Sequence, residues 1–406
     1  MVSPGAYDWL VPHPLPLHIL GISHRTACVA DRERFALGTD EIRVLLEHTR
    51  DAGRTLVVVS TCNRFELYWW GDAAPAVAFP EHLALRLSGE GAARHLFSVA
   101  SGLESQVLGE VEVLGQVRRA WELARGIGST EPEMDQLFTA ALAAGRRVRR
   151  ETPLGRKPVS LSLAAAALAR AQAGTKFDRA VVVVLGAGEA AQGVMKGLLE
   201  AGAGRVEVVN RHVERADALA GAWGAVAAPW ETLDDRLLEA DVVIAATAAP
   251  HAVLTAERVR AAMERRKERP LFVIDLALPR NVEPGVRGVS GVRLVDLDDL
   301  HAEAPIDLGL AAEVTKPAER LLDEEIARYQ AALRGRAAAP QLAELHRLGA
   351  VIAEEETARA LEQLDDLNEH EREVLREMAE RLVRRLLYPT SKRLRAGETP
   401  ERTPTH

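Results

Sequence analysis

The period of the apolar positions changes along the chain, and the changes divide it. From Leu17 to about Gly155 strand-like and helix-like runs are mixed. Leu56–Ser60 is a β-branched run and Arg64–Trp70 alternates, so Thr61, Cys62 and Asn63 fall between two strands or at a strand end. From Glu90 the stretch EGAARHLFSVASGLESQVLGEVEVLGQVRRAWELARG predicts a helix, a Gly-containing interruption and a second helix ending at Gly126. Pro, Gly and basic residues at Thr152–Pro158 mark a boundary before the Ala-rich helix VSLSLAAAALARAQ. Four short apolar strands follow, Val181–Leu185, Val206–Val209, Val242–Ala246 and Leu271–Asp275, alternating with helical segments, which predicts a parallel sheet wound with helices. Past His301 strand signals cease. Leu310, Val314, Leu321, Leu322 and Ile326 recur at helical spacing, and further helices are predicted over Gln341–Glu362 and Glu369–Leu387. Each has one apolar stripe that must meet another helix, from this chain or a partner.

The expected organisation is therefore multidomain α/β. A Pro-punctuated arm (1–16) precedes an α+β unit (17–157), a Rossmann-type doubly wound unit (158–303), a long helix with an all-α unit (304–396) and a flexible tail (397–406). A length of 406 residues is ample for this. With 47% hydrophobic and 27% charged residues the chain is expected to be globular, and its net charge of -8 offers no global basic field for nucleic acid. Any such contact needs a local patch. Arg146, Arg147, Arg149, Arg150, Arg156 and Lys157 form one candidate, and Arg384, Arg385, Lys392, Arg393 and Arg395 another; each is equally a solvated face. Two cysteines, Cys28 and Cys62, make no disulfide framework, and no zinc, P-loop or metalloprotease spacing appears. No signal peptide or membrane-spanning run is read, and a reducing cytoplasm is the expected location.

Candidate chemistry concentrates in two places. VVVVLGAGEAAQG sets Gly186, Gly188 and Ala191 in G-x-G-x-x-G/A spacing between a strand and a helix, where glycines allow a pyrophosphate close to the backbone and the helix start offers free N–H groups. The next strand ends in Asn210 and Arg211 rather than an acidic residue, which suits a ribose 2′-phosphate and hence NADP(H). Cys62 stands in a polar turn with Arg64 two residues on, a guanidinium expected to favour the thiolate; the alternative is an inert structural cysteine. Cys28, in HRTACVAD, reads as core. His95 and His24 are candidate bases or packing residues. Ser105, Glu110, Glu112 and Gln116 crowd the helix interruption, as a substrate pocket or as a capped break.

The stretches GISHRTA, STCNRFELY, HLFSVASGLESQVLGEVEVLGQV, RVRRET, LGAGEAA and DLALPRNVEP, in that order from about Leu17 to Arg395, resemble the glutamyl-tRNA reductase family. The resemblance implies NADPH-dependent reduction of glutamyl-tRNA to glutamate-1-semialdehyde through a thioester, the first step of five-carbon tetrapyrrole synthesis. By the same resemblance Cys62 is the nucleophile and His95 is important for activity. Thr61, Asn63, Arg64, Ser105, Glu110, Val111, Glu112 and Gln116 recognise the glutamyl group, with Arg64 the natural partner of its carboxylate. Gly186, Ala187, Gly188, Glu189, Ala190 and Ala191 hold NADPH together with Asn210 and Arg211. The three regions become a catalytic domain, an NADPH domain and a helical dimerisation domain of a homodimer, with glutamate-1-semialdehyde aminomutase as an implied partner. Two departures stand out: Glu112 replaces the family's usual Gln, placing an extra carboxylate near a glutamyl group, and the usual PRD ends here in Asn281. Competing readings are a shikimate-type dehydrogenase of a free metabolite, which leaves Cys62 idle, and a regulatory protein that binds without turnover.

Overall fold

The computed structural model describes residues 15–155, 160–267, 269–303, 308–364 and 367–396. Most of the Pro-rich arm, Arg156, Lys157 and the tail from 397 lie outside the described residues. Two compact units emerge, one spanning Leu15–Leu322 and the other built on the residues from Asp323 onward.

In the first unit, β1 (Leu17–Ser23) leads to α1 (Val29–Glu33) and α2 (Thr39–Asp51), then β2 (Val57–Ser60), β3 (Arg64–Trp70) and β4 (Leu85–Ser88). These strands form an antiparallel sheet of order β2-β3-β1-β4. A one-sided β3 would bury every second residue, as its alternation predicted. Instead β3 is buried along its length except at Trp70, so both faces of this inner strand are covered and polar Arg64 and Glu66 lie inside. The helices α3 (Gly89–Ser101), α4 (Glu112–Ile127) and α5 (Pro132–Glu151) follow, with α3 packed on α5.

The nucleotide part contains α6 (Leu161–Ala173), β5 (Val181–Leu185), α7 (Glu189–Glu200), β6 (Arg205–Asn210), α8 (Val213–Trp223), β7 (Val226–Pro229), α9 (Leu233–Glu239), β8 (Val242–Ala245), α10 (Ala256–Arg265), β9 (Leu271–Asp275), β10 (Val292–Val295) and α11 (Leu297–Glu303). Its six strands are all parallel, in the order β10-β9-β8-β5-β6-β7. Val182, Val184, Val208 and Ile244 face one apolar cluster, and Val183, Leu185, Val209 and Val243 face the other, so both sides of the sheet are covered. The order reverses between β5 and β8, and this places a crevice at their C-terminal ends.

A single helix, α12 (Leu308–Glu362), joins this unit to the last, where α13 (Glu369–Ala396) follows. The predicted separate helix at Gln341–Glu362 is thus part of one 55-residue helix. Ala337–Ala339 are strong helix formers, and the helix runs on through Pro340. The final helix likewise continues past Leu387 through Pro389. Within the second unit α12 and α13 approach closely where Gly349 meets Val383 and Leu387. Val374, Met378, Leu382 and Leu386 remain an exposed stripe at four-residue spacing on α13. No helix among the described residues is long and apolar enough to cross a membrane.

Candidate active site

Thr61, Cys62 and Asn63 form the tight connection between β2 and β3. The Thr61 hydroxyl accepts from the N–H groups of Asn63 (3.1 Å) and Arg64 (3.2 Å), and Thr61 N donates to Arg64 O at 2.9 Å. Such a side-chain-stapled turn holds Cys62 at its tip. Cys62 is partly exposed and packs at the margin of the apolar cluster that covers one face of the parallel sheet, as do Ala187 and Ala190.

The electrostatics differ from the sequence expectation. Burial, then the Glu110 and Glu112 carboxylates, push the Cys62 thiol well above its ordinary pKa; Arg32 is the cation that opposes them. Arg64 does not activate the thiol, because its guanidinium turns inward. Its Nη1 donates to Glu66 Oε1 at 2.8 Å and its Nη2 to the Glu104 carbonyl. Glu66, fully buried, also accepts from the Tyr68 hydroxyl (2.8 Å) and pairs with His95 Nε2 (3.0 Å). Burial alone would raise the Glu66 carboxyl, but Arg64 and His95 outweigh it and bring its pKa from 4.5 to about 2. As an ionised acceptor, Glu66 fixes His95 with its proton on Nε2 and Nδ1 as the remaining nitrogen. Neither Glu66 nor Tyr68 was anticipated, although a Glu between Phe65 and Leu67 in a strand flanked by apolar residues is a readable sign of a buried ion pair.

The helix interruption folds back on this turn. Glu110 is buried, and its carboxyl is raised to about 7 by burial and then by Glu112, while Arg64, Ser105 and Asn63 pull it down. Glu112 opens α4, and its carboxyl is raised by burial and by Glu189. Its Oε1 lies 3.6 Å from the point a Cβ on Gly193 of α7 would occupy. The recognition candidates Thr61, Asn63, Arg64, Ser105, Glu110 and Glu112 therefore gather around Cys62. Val111, by contrast, is 42% exposed, and Gln116 lies half-buried one turn into α4. Cys28 is not core: it is exposed at the start of α1, with its thiol donating to Asp31 Oδ2 at 3.1 Å. Within the first basic patch, Arg149 donates to the carbonyls of Ala100 (2.9 Å) and Glu110 (2.7 Å), and both Arg147 and Arg150 pair with Glu151.

On the nucleotide side, Gly186 has φ +108°, and a Cβ there would lie 2.4 Å from the Ala246 carbonyl, so only glycine fits between β5 and β8. Gly188 begins α7 with no side-chain cap, leaving its first-turn N–H groups open. A cavity of about 290 Å³ lies here, lined by Gly186, Gly188, Asn210, Arg211, Arg215 and Trp230 among others. The Arg211 guanidinium stacks 5.5 Å from the Trp230 ring centre, and its Nη2 lies 3.0 Å from His251 Nε2. Arg215 carries no such signal in the sequence, because it sits in α8, beyond the strand end where a 2′-phosphate partner is expected. One wall is held by buried Asn281, whose Oδ1 accepts from Thr247 N (2.9 Å) and Oγ1 (2.8 Å) while its amide faces the Ala249 carbonyl at 3.4 Å. Glu189 is turned away, in a two-bond pair with Arg119 of α4 at 3.1 and 2.9 Å.

A doubly wound parallel sheet with this loop, joined to a domain that presents a cysteine at a turn, defines an oxidoreductase with an NAD(P)-binding domain. Residues 20–152 match the model of the glutamyl-tRNAGlu reductase N-terminal domain, 167–303 that of shikimate / quinate 5-dehydrogenase, and 317–405 that of the glutamyl-tRNAGlu reductase dimerisation domain. The glutamyl-tRNA reductase of Desulforudis audaxviator is 36% identical over 94% of this chain and 90% of its own, and that of Deinococcus radiodurans 41% over 77% and 91%. A solved structure of glutamyl-tRNA reductase from Methanopyrus kandleri is 33% identical, covers 95% of both chains and superposes with a TM-score of 0.48. The chain belongs to the glutamyl-tRNA reductase family.

Proposed function

We propose that the protein reduces glutamyl-tRNA to glutamate-1-semialdehyde with NADPH, through a thioester on Cys62, as the entry to five-carbon tetrapyrrole synthesis. The observation that supports this best is the position of the thiol: Cys62 packs against the same apolar cluster as Ala187 and Ala190 of the nucleotide loop, and Glu112 at the start of α4 reaches α7 at Gly193. A thiol between a polar recognition loop and a dinucleotide loop serves acyl transfer followed by reduction. The Cys62 sulfur attacks the ester carbonyl; the S–C bond forms, the C–O bond to the terminal ribose breaks, and the departing oxygen takes a proton. Because the thiol is protonated in the free protein, a base must receive its proton. Glu110, with its carboxyl near neutrality, is one candidate, and the Nδ1 of His95 is the other.

The nucleotide loop fits NADPH. Gly186 and the uncapped start of α7 suit the pyrophosphate, and Arg211 with Arg215 suits a 2′-phosphate. When bound, NADPH would supply the hydride to the thioester carbonyl carbon; the C–S bond then breaks, leaving the carbon at the aldehyde level, and the Cys62 sulfur takes its proton back. Arg64 and Ser105 lie beside Glu110, where the glutamyl group would be recognised, with the Arg64 Nη1 and Nη2 already engaged by Glu66 and the Glu104 carbonyl. The exposed apolar stripe of α13 suits pairing with a second copy as a homodimer in the cytoplasm. Passing an unstable aldehyde onward suits a partnership with glutamate-1-semialdehyde aminomutase.

The test is aldehyde formation from purified protein, glutamyl-tRNA and NADPH, beside Cys62→Ser and beside free glutamate. Product that requires both thiol and tRNA is expected; product from free glutamate, or from Cys62→Ser, overturns the reading.

A further inference from the structure

Arg32 is 1% exposed on the five-residue helix α1, and nothing in the recognition of glutamate or nucleotide uses it. Its guanidinium spans two parts of the molecule. Nη1 donates to the backbone carbonyl of Cys62 at 2.6 Å and approaches Asn63 Oδ1 at 3.5 Å, while Nη2 donates to Asp298 Oδ1 at 2.7 Å. Asp298 belongs to α11, which closes the nucleotide fold, and its Oδ2 accepts from the Val29 N–H at 2.7 Å, so one carboxylate holds both the start of α1 and the arginine within it. The same seam is fastened on either side. Glu33 Oε2 pairs with Arg280 Nε at 2.9 Å, and Gln106 Nε2 donates to the Leu297 carbonyl at 2.6 Å.

We infer that Arg32, anchored by Asp298 from the nucleotide fold, is a positioning residue that fixes the nucleophile turn and sets the reactivity of Cys62. The inference rests on the thiol chemistry proposed above. A charge-assisted bond to the carbonyl of the nucleophile itself fixes that peptide more firmly than a neutral donor would. It also brings a positive charge to the turn that carries the thiol, against Glu110 on the loop before α4 and Glu112 on α4, the charged groups that oppose it. Lysine cannot replace this arrangement, because one ammonium does not offer two parallel donors fixed in a plane. The turn is thus held from both sides of the seam, and loosening Asp298 acts on the thiol without touching it.

The test uses the full chain with Cys28→Ser, so that Cys62 is the remaining thiol, and follows its alkylation by iodoacetamide from pH 6 to 11. Arg32→Gln is expected to move the alkylation profile upward by about one pH unit, with the rate at a fixed pH below the midpoint reduced about tenfold. Arg32→Lys, which keeps the charge but not the fork that reaches both the Cys62 carbonyl and Asp298, is expected to shift it the same way by a smaller amount. Arg34→Gln, on the exposed end of α1, is expected to leave it unchanged. Circular dichroism checks the fold of each variant. If Arg32→Gln folds and its profile overlays the parent's, the inference is overturned; if it does not fold, Arg32→Lys decides, and an unshifted profile there overturns it equally. A shift of the same size in Arg34→Gln overturns it as a non-specific charge effect. Alkylation needs neither tRNA nor NADPH, so failure here leaves the reductase reading to its own aldehyde assay, and failure there leaves this result standing.

Discussion

Replacing Glu66 by Gln tests whether a buried ion pair holds the catalytic sheet. The carboxylate is fully buried and accepts from Arg64, Tyr68 and His95, and its pKa falls from 4.5 to about 2. At about 1.4 kcal/mol per pKa unit, that depression corresponds to roughly 3 kcal/mol of stabilisation of the charged form. Gln removes the charge and leaves Arg64 buried without its counterion, so the loss is at least of that order. Because the chain has more than one compact unit, a single unfolding energy is a poor reporter, and hydrogen exchange of the Val58, Leu67 and Tyr68 amides reads the sheet directly. Protection there is expected to fall by about a hundredfold at pH 7. The carboxyl is depressed in the folded state, so its contribution is complete above pH 4.5 and is lost as pH falls through about 2; the gap between wild type and variant closes over that window. A loss below about threefold at pH 7 refutes the reasoning.

Glu112→Gln removes a carboxylate that raises both Cys62 and Glu110, so Cys62 alkylation at pH 8 is expected to quicken by about threefold; an unchanged rate shows that Glu112 does not face the thiol. Arg211→Gln is expected to raise KM for NADPH by about tenfold or more while leaving that for NADH nearly unchanged, as steady-state assays with both cofactors will show. Gly186→Ala forces a side chain against the Ala246 carbonyl at an unfavourable φ, and loss of nucleotide binding by calorimetry is expected. Leu382→Glu, at a site 52% exposed on α13, is expected to give monomers by light scattering with an unchanged circular dichroism spectrum.

The parallel sheet was legible because strands covered on both faces appear as unbroken apolar runs, as Val181–Leu185 and the first four residues of β9 do. β7, at one edge, carries Ala and Pro with two of its four residues exposed, and β10 at the other edge has an exposed Arg293, so neither has such a run and neither was singled out. The site divides in the same way. Thr61 to Arg64 adjoin in sequence and stood out together, as did the polar cluster from Ser105 to Gln116. Arg32 gave no signal, since its partner Asp298 lies 266 residues away and no periodicity encodes such a pair. Arg64 misled because sequence proximity to Cys62 does not fix direction: in β3 its side chain goes to Glu66, two residues along on the same face. Cys28 misled through its small and apolar neighbours, although it starts a helix at the surface.

Asn281 gives the nucleotide crevice a property that a carboxylate there would not. It works by accepting two bonds from Thr247 and facing the Ala249 carbonyl with its amide, and an amide has no proton to gain or lose over the physiological range. An aspartate in its place would share a buried loop with Asp275, whose carboxyl burial already lifts to about 7. Two acids in that space would trade a proton near neutrality, and the loop that walls the crevice would answer to acidity. With the amide, the bonds Asn281 makes to Thr247 and Ala249 do not change with pH, and any acid sensitivity of that wall falls to Asp275 alone rather than to a pair of acids.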